Sequence, residues 1–251
     1  MVNVLISGAF GKMGKKVREA CLLNENVKAV CGVDVKEDFS APDFPVYSSF
    51  KDVKEKVDVI IDFSAPATLK PLLVYAKENC VNAVLCSTGY DSADLEEIKK
   101  ATESIAIFRS ANMSLGANVL IEAVKRVTSL LADFDVEIIE KHHNQKVDAP
   151  SGTALMLADA VKEIATDKFY TYGREGKVGK RKEKEIGIHA VRGGNIVGEH
   201  DVLFAGLNET VTLSHTATDR SVFAIGAVKA AIYLKDKKNG AFNMQSLISE
   251  N

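Results

Sequence analysis

Between an apolar run, Val2 to Ser7, and a helical pattern from Gly11 to about Glu25 lies the segment Ser7-Gly8-Ala9-Phe10-Gly11-Lys12-Met13-Gly14. A glycine-rich turn that passes a strand straight into a helix leaves few folds open, because it sets a βα unit at the head of the chain. The helix follows from Met13, Val17, Ala20 and Cys21 at helical spacing. The same alternation then repeats. Val27 to Val33 and Val57 to Phe63 are apolar runs, and Ser64-Ala65-Pro66 closes the second, with Pro66 suited to a first helical turn. Leu69, Leu72, Leu73 and Ala76 give an apolar helix face; Val81 to Ser87, Ser92 to Glu103 and Ile105 to Phe108 continue as strand, helix and strand. Continuous apolar strands are those covered on both faces, and repeated βα units imply parallel pairing with right-handed crossovers. Residues 1–113 are therefore expected to form a doubly wound α/β domain.

The rhythm changes after that. Leu115 to Leu131 reads as a long helix, and Phe134 to Glu140 as a strand with Phe134, Val136 and Ile138 on one face and Asp135 and Glu137 on a solvated one. Ser151-Gly152-Thr153 leads a helix to about Ile164; Ile186 to Val191, Ile196 to Phe204 and Val211 to Thr216 are extended, and Arg220 to Leu234 is helical. Strands in succession without helices between them suggest antiparallel or mixed pairing. The expected second domain, 114–223, is α+β with an open mixed sheet. An unprotected sheet edge invites association, so another subunit is expected to pair with it.

Composition narrows the partners. The 251 residues carry 32 basic and 34 acidic side chains, net −2, which argues against nucleic acid. No apolar run approaches the ~18 residues of a membrane span, and the first residues lack a signal peptide's basic flank and cleavage site. A cytoplasmic protein is expected. Cys21, Cys31, Cys80 and Cys86 are too far apart for a metal or redox pair; they read as small buried hydrophobes, and no metal is expected. The basic run Lys177 to Lys184 reads as a solvated loop, the alternative being a local field that draws in an anion.

Two constellations carry chemistry. In the dinucleotide fingerprint G-x-G-x-x-G, Gly11 and Gly14 fill the second and third places, Ala9 stands in the first, and Gly8 lies one residue earlier. Gly11 lets the backbone approach a pyrophosphate and Gly14 lets helix and strand pack closely, while the helix N-terminus offers amides and positive potential. Asp34, twenty residues past Gly14, matches the carboxylate that accepts from a ribose. It favours NADH, with Lys12 and Lys36 near enough in sequence to admit NADPH. The second constellation runs from Glu137 to Ala154. It delivers His142, His143 and Lys146 from a strand end, then starts a helix at Gly152-Thr153. Histidine suits proton donation near neutral pH, a lysine holds a carboxylate, and a helix N-terminus receives another. A small, anionic, reducible substrate beside a nicotinamide fits that set. A protein that only sensed nicotinamide would keep the glycine turn and Asp34 but would not need His142, Lys146 and Gly152-Thr153 together. A related two-domain amino-acid dehydrogenase would share the first domain.

The run E-x-x-E-x-H-H-x-x-K-x-D-A-P-S-G-T-A, Glu137 to Ala154, resembles the signature of the 4-hydroxy-tetrahydrodipicolinate reductase family of diaminopimelate and lysine biosynthesis. The resemblance extends through the glycine turn, Asp62-Phe63-Ser64 with Pro66, Ser87-Thr88-Gly89-Tyr90, Ala111-Asn112-Met113-Ser114 and Val197-Gly198-Glu199-His200. It implies a Rossmann domain that binds NADH or NADPH, and a second domain that binds a small dicarboxylate substrate and assembles a homotetramer. It also implies that the tail, about 224–251, returns to the first domain. By position, it makes His142 the proton donor and acceptor and Lys146 the second catalytic group, with His143, Gly152 and Thr153 binding substrate. Gly8, Ala9, Phe10, Gly11, Lys12, Met13, Asp34, Cys86, Ser87, Thr88, Ser110, Ala111, Asn112 and Met113 would line the cofactor. Cys86 stands where members commonly have Gly, Met113 where an aromatic is frequent, and Val35 where NADPH-using members often carry Arg.

Overall fold

The structure, a computed structural model, describes residues 1–35 and 43–250 and divides into two compact units, Met1–Ser114 with Ser221–Asn251, and Leu115–Arg220. Lys36 lies outside the described residues.

The first unit is built on strands β1 (Val2–Ser7), β2 (Val27–Val33), β3 (Val46–Tyr47), β4 (Val59–Asp62), β5 (Asn82–Leu85) and β6 (Ala106–Arg109), joined late in the chain by β12 (Gly240–Phe242). All pair in parallel, in the order β12-β6-β5-β4-β1-β2-β3. The order reverses at β1, so the loops after β1, β4, β5 and β6 gather along one edge, where doubly wound sheets bind ligands. Helices α1 (Lys12–Leu22), α2 (Leu69–Glu78), α3 (Ser92–Ala101) and α6 (Ser221–Leu234) cover the sheet. On one face Leu69, Leu72, Leu73 and Ala76 of α2 meet Leu5, Ile60, Ala83 and Ile107. α6 is apolar almost all round, with Ala224, Ala227, Ala230 and Ala231 buried, as expected of a helix enclosed by α1 and the sheet. A Cβ at Gly226 would lie 1.7 Å from the Met113 carbonyl oxygen, so only glycine fits there. Buried Asn82 fastens this late helix to the early strands. Its amide donates to the Leu234 and Lys237 carbonyls at 2.8 and 2.9 Å, and its Oδ1 accepts from the Ala106 amide at 2.9 Å.

The second unit pairs β7 (Asp135–His142), β8 (Phe169–Tyr172), β9 (Glu185–Arg192), β10 (Gly198–Ala205) and β11 (Thr210–Ala217) in the order β11-β10-β7-β9-β8. The sheet is mixed: β10 is antiparallel to β7 and β11, while β7, β9 and β8 run parallel. Helices α4 (Leu115–Leu130) and α5 (Gly152–Ile164) pack on one face, burying Val136, Ile138, Ile186, Val202 and Phe204 with Val124, Leu157 and Val161.

Two local readings change, and a third holds with one exception. The second face of β7 is less a solvated side than an ion-pair network. The Glu137 carboxylate takes both Arg174 amino groups at 2.9 and 2.8 Å, Arg181 Nε at 2.9 Å and His189 Nε2 at 2.8 Å. Gly187 leaves it room, since a Cβ there would fall 1.8 Å from a carboxylate oxygen. The basic run Lys177 to Lys184, where Lys184 pairs separately with Asp167 at 2.8 Å, is the exposed loop expected, except that Arg181 joins this network and pairs with Asp135 at 2.6 Å. That ties it to the start of β7, about 20 Å from His142 at ~3.3 Å per residue. Finally, Cys80 is not a buried hydrophobe. It is exposed in a left-handed conformation (φ 52°) just past α2, whereas Cys21 and Cys31 are buried.

Candidate active site

In the first unit, the segments that the sequence singles out follow β1, β4, β5 and β6 at one sheet edge. Gly8 takes φ +79°, and a Cβ at Gly14 would lie 2.2 Å from the Gly8 carbonyl oxygen, so α1 closes on the turn as only glycine allows. Helix α1 starts after Gly11 with no side-chain cap and no acid in its first turn. That arrangement suits a phosphate group. The Asp34 carboxylate reaches the same turn, accepting from the Phe10 amide at 2.9 Å.

At the end of β4 stands a residue that the sequence reading did not single out as functional. Asp62, 2% exposed, accepts from Ser87 Oγ at 2.6 Å, Tyr90 Oη at 3.4 Å and both the amide and the hydroxyl of Ser64. Burial and then the Asp62 charge push the Cys86 thiol and the Tyr90 phenol above their ordinary pKa values. Asn112 Oδ1 accepts from the Ser114 amide at 2.8 Å, and Met113 is buried. A separate cavity of about 560 Å³ opens where Asn79, Cys80, Lys235 and Lys237 meet, at the strands' other ends. Lys235 there donates to the Met1 carbonyl at 3.1 Å and Lys237 to Glu250 at 2.7 Å.

In the second unit, strand alternation puts Val136, Ile138, Glu140 and His142 on the core face of β7. Glu140 is 0% exposed. Its Oε2 accepts from His142 Nδ1 at 2.6 Å and Arg192 at 2.8 Å; its Oε1 accepts from Arg192 at 2.8 Å and the Ser151 amide at 2.9 Å. Burial alone would raise this carboxyl's pKa, yet hydrogen bonds from Arg192, His142 and Ser151 hold it below the usual value. His142 Nε2 looks toward Gly198, whose Cβ would stand 3.1 Å away.

His200, 4% exposed, lies edge-on to His142 with centroids 5.2 Å apart, and its Nε2 is 3.0 Å from Ser151 Oγ. Burial, then His142, lowers its pKa to about 4, so it is neutral at physiological pH. Ser151 Oγ caps α5, accepting from the Ala154 amide at 3.2 Å. A Cβ on Gly152 would meet nothing within 4 Å, so space is open over the helix start. The Arg220 guanidinium lies 3.4 Å from His143 Nε2, and Lys146 Nζ donates to Asp148 at 2.8 Å. His142, His143, Lys146 and the Gly152-Thr153 helix start thus share one end of the sheet, held by the loop bonds Gly193 N to His142 O and Asn144 N to Gly194 O at 3.0 and 3.2 Å. Among the described residues no set of three or more His, Cys, Asp or Glu is placed to share a metal ion.

A doubly wound unit with an uncapped, glycine-lined helix start, joined to an α+β unit presenting histidines and cations, defines a two-domain oxidoreductase of the pyridine-nucleotide class. The chain belongs to the dihydrodipicolinate reductase family: residues 2–113 match its N-terminal description and residues 116–248 its C-terminal one. It is 50% identical over 251 residues to the 4-hydroxy-tetrahydrodipicolinate reductase of Caldanaerobacter subterraneus subsp. tengcongensis, covering 100% of this chain and 99% of that one. It is 47% identical to the Clostridium tetani protein of the same name, covering 99% and 98% of the two chains. The solved dipicolinate-bound dihydrodipicolinate reductase from Paenisporosarcina sp. TG-14 superposes with a TM-score of 0.80 at 26% identity, covering 97% of each chain.

Proposed function

We propose that this chain reduces 4-hydroxy-tetrahydrodipicolinate, or the cyclic imine formed by its dehydration, to tetrahydrodipicolinate in diaminopimelate and lysine biosynthesis. NADH or NADPH would be the reductant. The observation that carries this is the end of β7, where one buried histidine is held by a carboxylate among cations and an open helix start. Full-length identity to named reductases supports it.

Gly8 to Met13, Asp34, Cys86 to Thr88 and Ser110 to Met113 would hold the nucleotide. The uncapped α1 amides take its pyrophosphate, and Asp34 reads the adenosine ribose while bracing the turn through Phe10. Lys12, at the helix start, would offset a 2′-phosphate. When bound, the reduced nicotinamide supplies hydride. His143, Gly152 and Thr153, with Lys146 and Arg220, would hold the two carboxylates so that the ring cannot turn away. Hydride addition at C4 of the conjugated imine leaves an electron-rich enamine, and His142 delivers the proton from Nε2, the nitrogen not engaged with Glu140. The edge strand β11 of the second unit's sheet would pair with another subunit in a cytoplasmic homotetramer.

Steady-state kinetics with freshly prepared substrate and NADH test this. His142→Gln should lower kcat by ~10²–10⁴-fold with NADH affinity, followed by fluorescence, unchanged. Lys146→Ala should lower kcat and raise KM, since it holds charge in ground and transition states. Near wild-type kcat in His142→Gln would remove His142 from the acid role, and a stable monomer in light scattering would rule out the tetramer.

A further inference from the structure

We propose that the Glu140–Arg192 pair is a positioning device that fixes His142 by Nδ1 and so assigns proton delivery to Nε2; this rests on the reading of His142 as the proton donor. Three adjacent strands build it. Glu140 and His142 share a face because they are two apart on β7. On one side Arg192 of β9 lies opposite His142 and small Ala190 opposite Glu140, so the guanidinium reaches diagonally to the carboxylate. On the other side His200 of β10 lies opposite Glu140.

A carboxylate offers about four lone-pair positions, and four donors fill them: His142 Nδ1 and Arg192 at Oε2, Arg192 and the Ser151 amide at Oε1. Arg192 and the Ser151 amide can only donate, and the guanidinium charge on both oxygens keeps Glu140 ionised, so the short contact to His142 puts the hydrogen on Nδ1. Arg192 already balances the charge, so Glu140 orients the ring without taking its proton. Arg192 also donates to the Asp148 carbonyl at 2.7 Å, tying the loop that carries His143 and Lys146 to the same pair. Gly198 keeps the space beside Nε2 clear of a side chain.

The consequence is specific. In Glu140→Gln one Arg192 bond is lost in either orientation, and the amide oxygen must take the Oε1 place because the Ser151 amide there can only donate, whereas Nδ1 at the Oε2 place can become an acceptor. The amide nitrogen then faces Nδ1, and the imidazole hydrogen moves to Nε2. Nitrogen NMR on ring-labelled histidine at alkaline pH should show the Nδ1–H tautomer for His142 in the wild-type enzyme and Nε2–H in Glu140→Gln. That variant should lose ~10²–10⁴-fold in kcat with KM changed no more than about threefold. The double variant Glu140→Gln/His142→Gln should be no slower than His142→Gln, as expected of groups acting as a unit. A wild-type Nε2–H tautomer overturns the proposal even if Glu140→Gln fails to fold. So does a folded Glu140→Gln enzyme within about threefold of wild-type kcat while His142→Gln is impaired. Full activity in His142→Gln instead overturns the reading of His142 itself.

Discussion

Asp62 in the first unit and Glu140 in the second are both sunk at or near the carboxyl end of a strand, 2% and 0% exposed, yet their partners differ in kind. Asp62 accepts from the hydroxyls of Ser64, Ser87 and Tyr90, and Glu140 from a guanidinium, an imidazole and an amide. Rotatable neutral donors tie the loop after β4 to the loop after β5 and leave the negative charge to act on its surroundings, where it adds to burial in raising Cys86 and Tyr90. A planar cation instead cancels the charge and fixes a direction. One carboxylate shapes loops; the other aims a ring.

Removing the cation should produce the largest effect. Arg192→Met leaves Glu140 buried without its counter-charge, a situation that costs ~3–5 kcal/mol, to be read in urea unfolding. A loss below about 1 kcal/mol would erase the contrast with Asp62.

Acid comes next. His200 has its pKa lowered to about 4 from 6.5, so the unfolded chain takes up a proton that the folded one refuses. The stability it contributes is complete above pH 6.5 and falls away between 6.5 and 4, by an amount on the order of 3 kcal/mol. The Glu137 carboxyl, raised by burial but drawn down further by Arg174, His189 and Arg181 to about 2, contributes stability that is lost only between pH 4.5 and about 2. His200→Gln should flatten Tm against pH in the upper window and leave the lower one intact. An unchanged slope would show that His200 is protonated in the fold.

Ser87→Ala takes one hydroxyl from Asp62. It should cost ~1.5–3 kcal/mol by thermal unfolding and weaken NADH binding without changing the kcat of the saturated enzyme. Equal loss from Arg192→Met and Ser87→Ala would mean that the two carboxylates are not different in kind. The smallest effect is expected at Asp34. Asp34→Asn keeps an acceptor for the Phe10 amide, so NADH affinity should fall less than in Asp34→Ala, where a charged contact worth ~1.5–3 kcal/mol disappears. NADPH should suffer less than NADH in both; equal losses would show that Asp34 only braces the turn.

Much of this was readable in the chain. The covered strands β1, β2, β4, β5 and β6 announce themselves as apolar runs, and the His-His-Lys stretch by its residue types. β8, a half-exposed Phe-Tyr-Thr-Tyr, and β12, three residues long, carry no period for a pattern to catch; they exist because neighbouring strands pair with them. Glu140 had a usable signal, since it shares parity with Val136 and Ile138, and a carboxylate on a core face must find partners. Its partner Arg192, like His200 beside Ser151 and Arg220 beside His143, is brought in by the pairing of distant segments, which no local spacing encodes.

The bond from Asn82 to the end of α6 spans about 150 positions of chain, and its meaning extends to the order in which the protein is made. The second unit, Leu115–Arg220, is an uninterrupted stretch set inside the first. On a ribosome it emerges entire while the first still lacks α6 and the strand that borders β6. Units ordinarily mature from the N-terminus onward during synthesis; here the half begun first is completed last. Until residues 221–242 arrive, the face of the nucleotide sheet that α6 covers stays open to other chains and to chaperones.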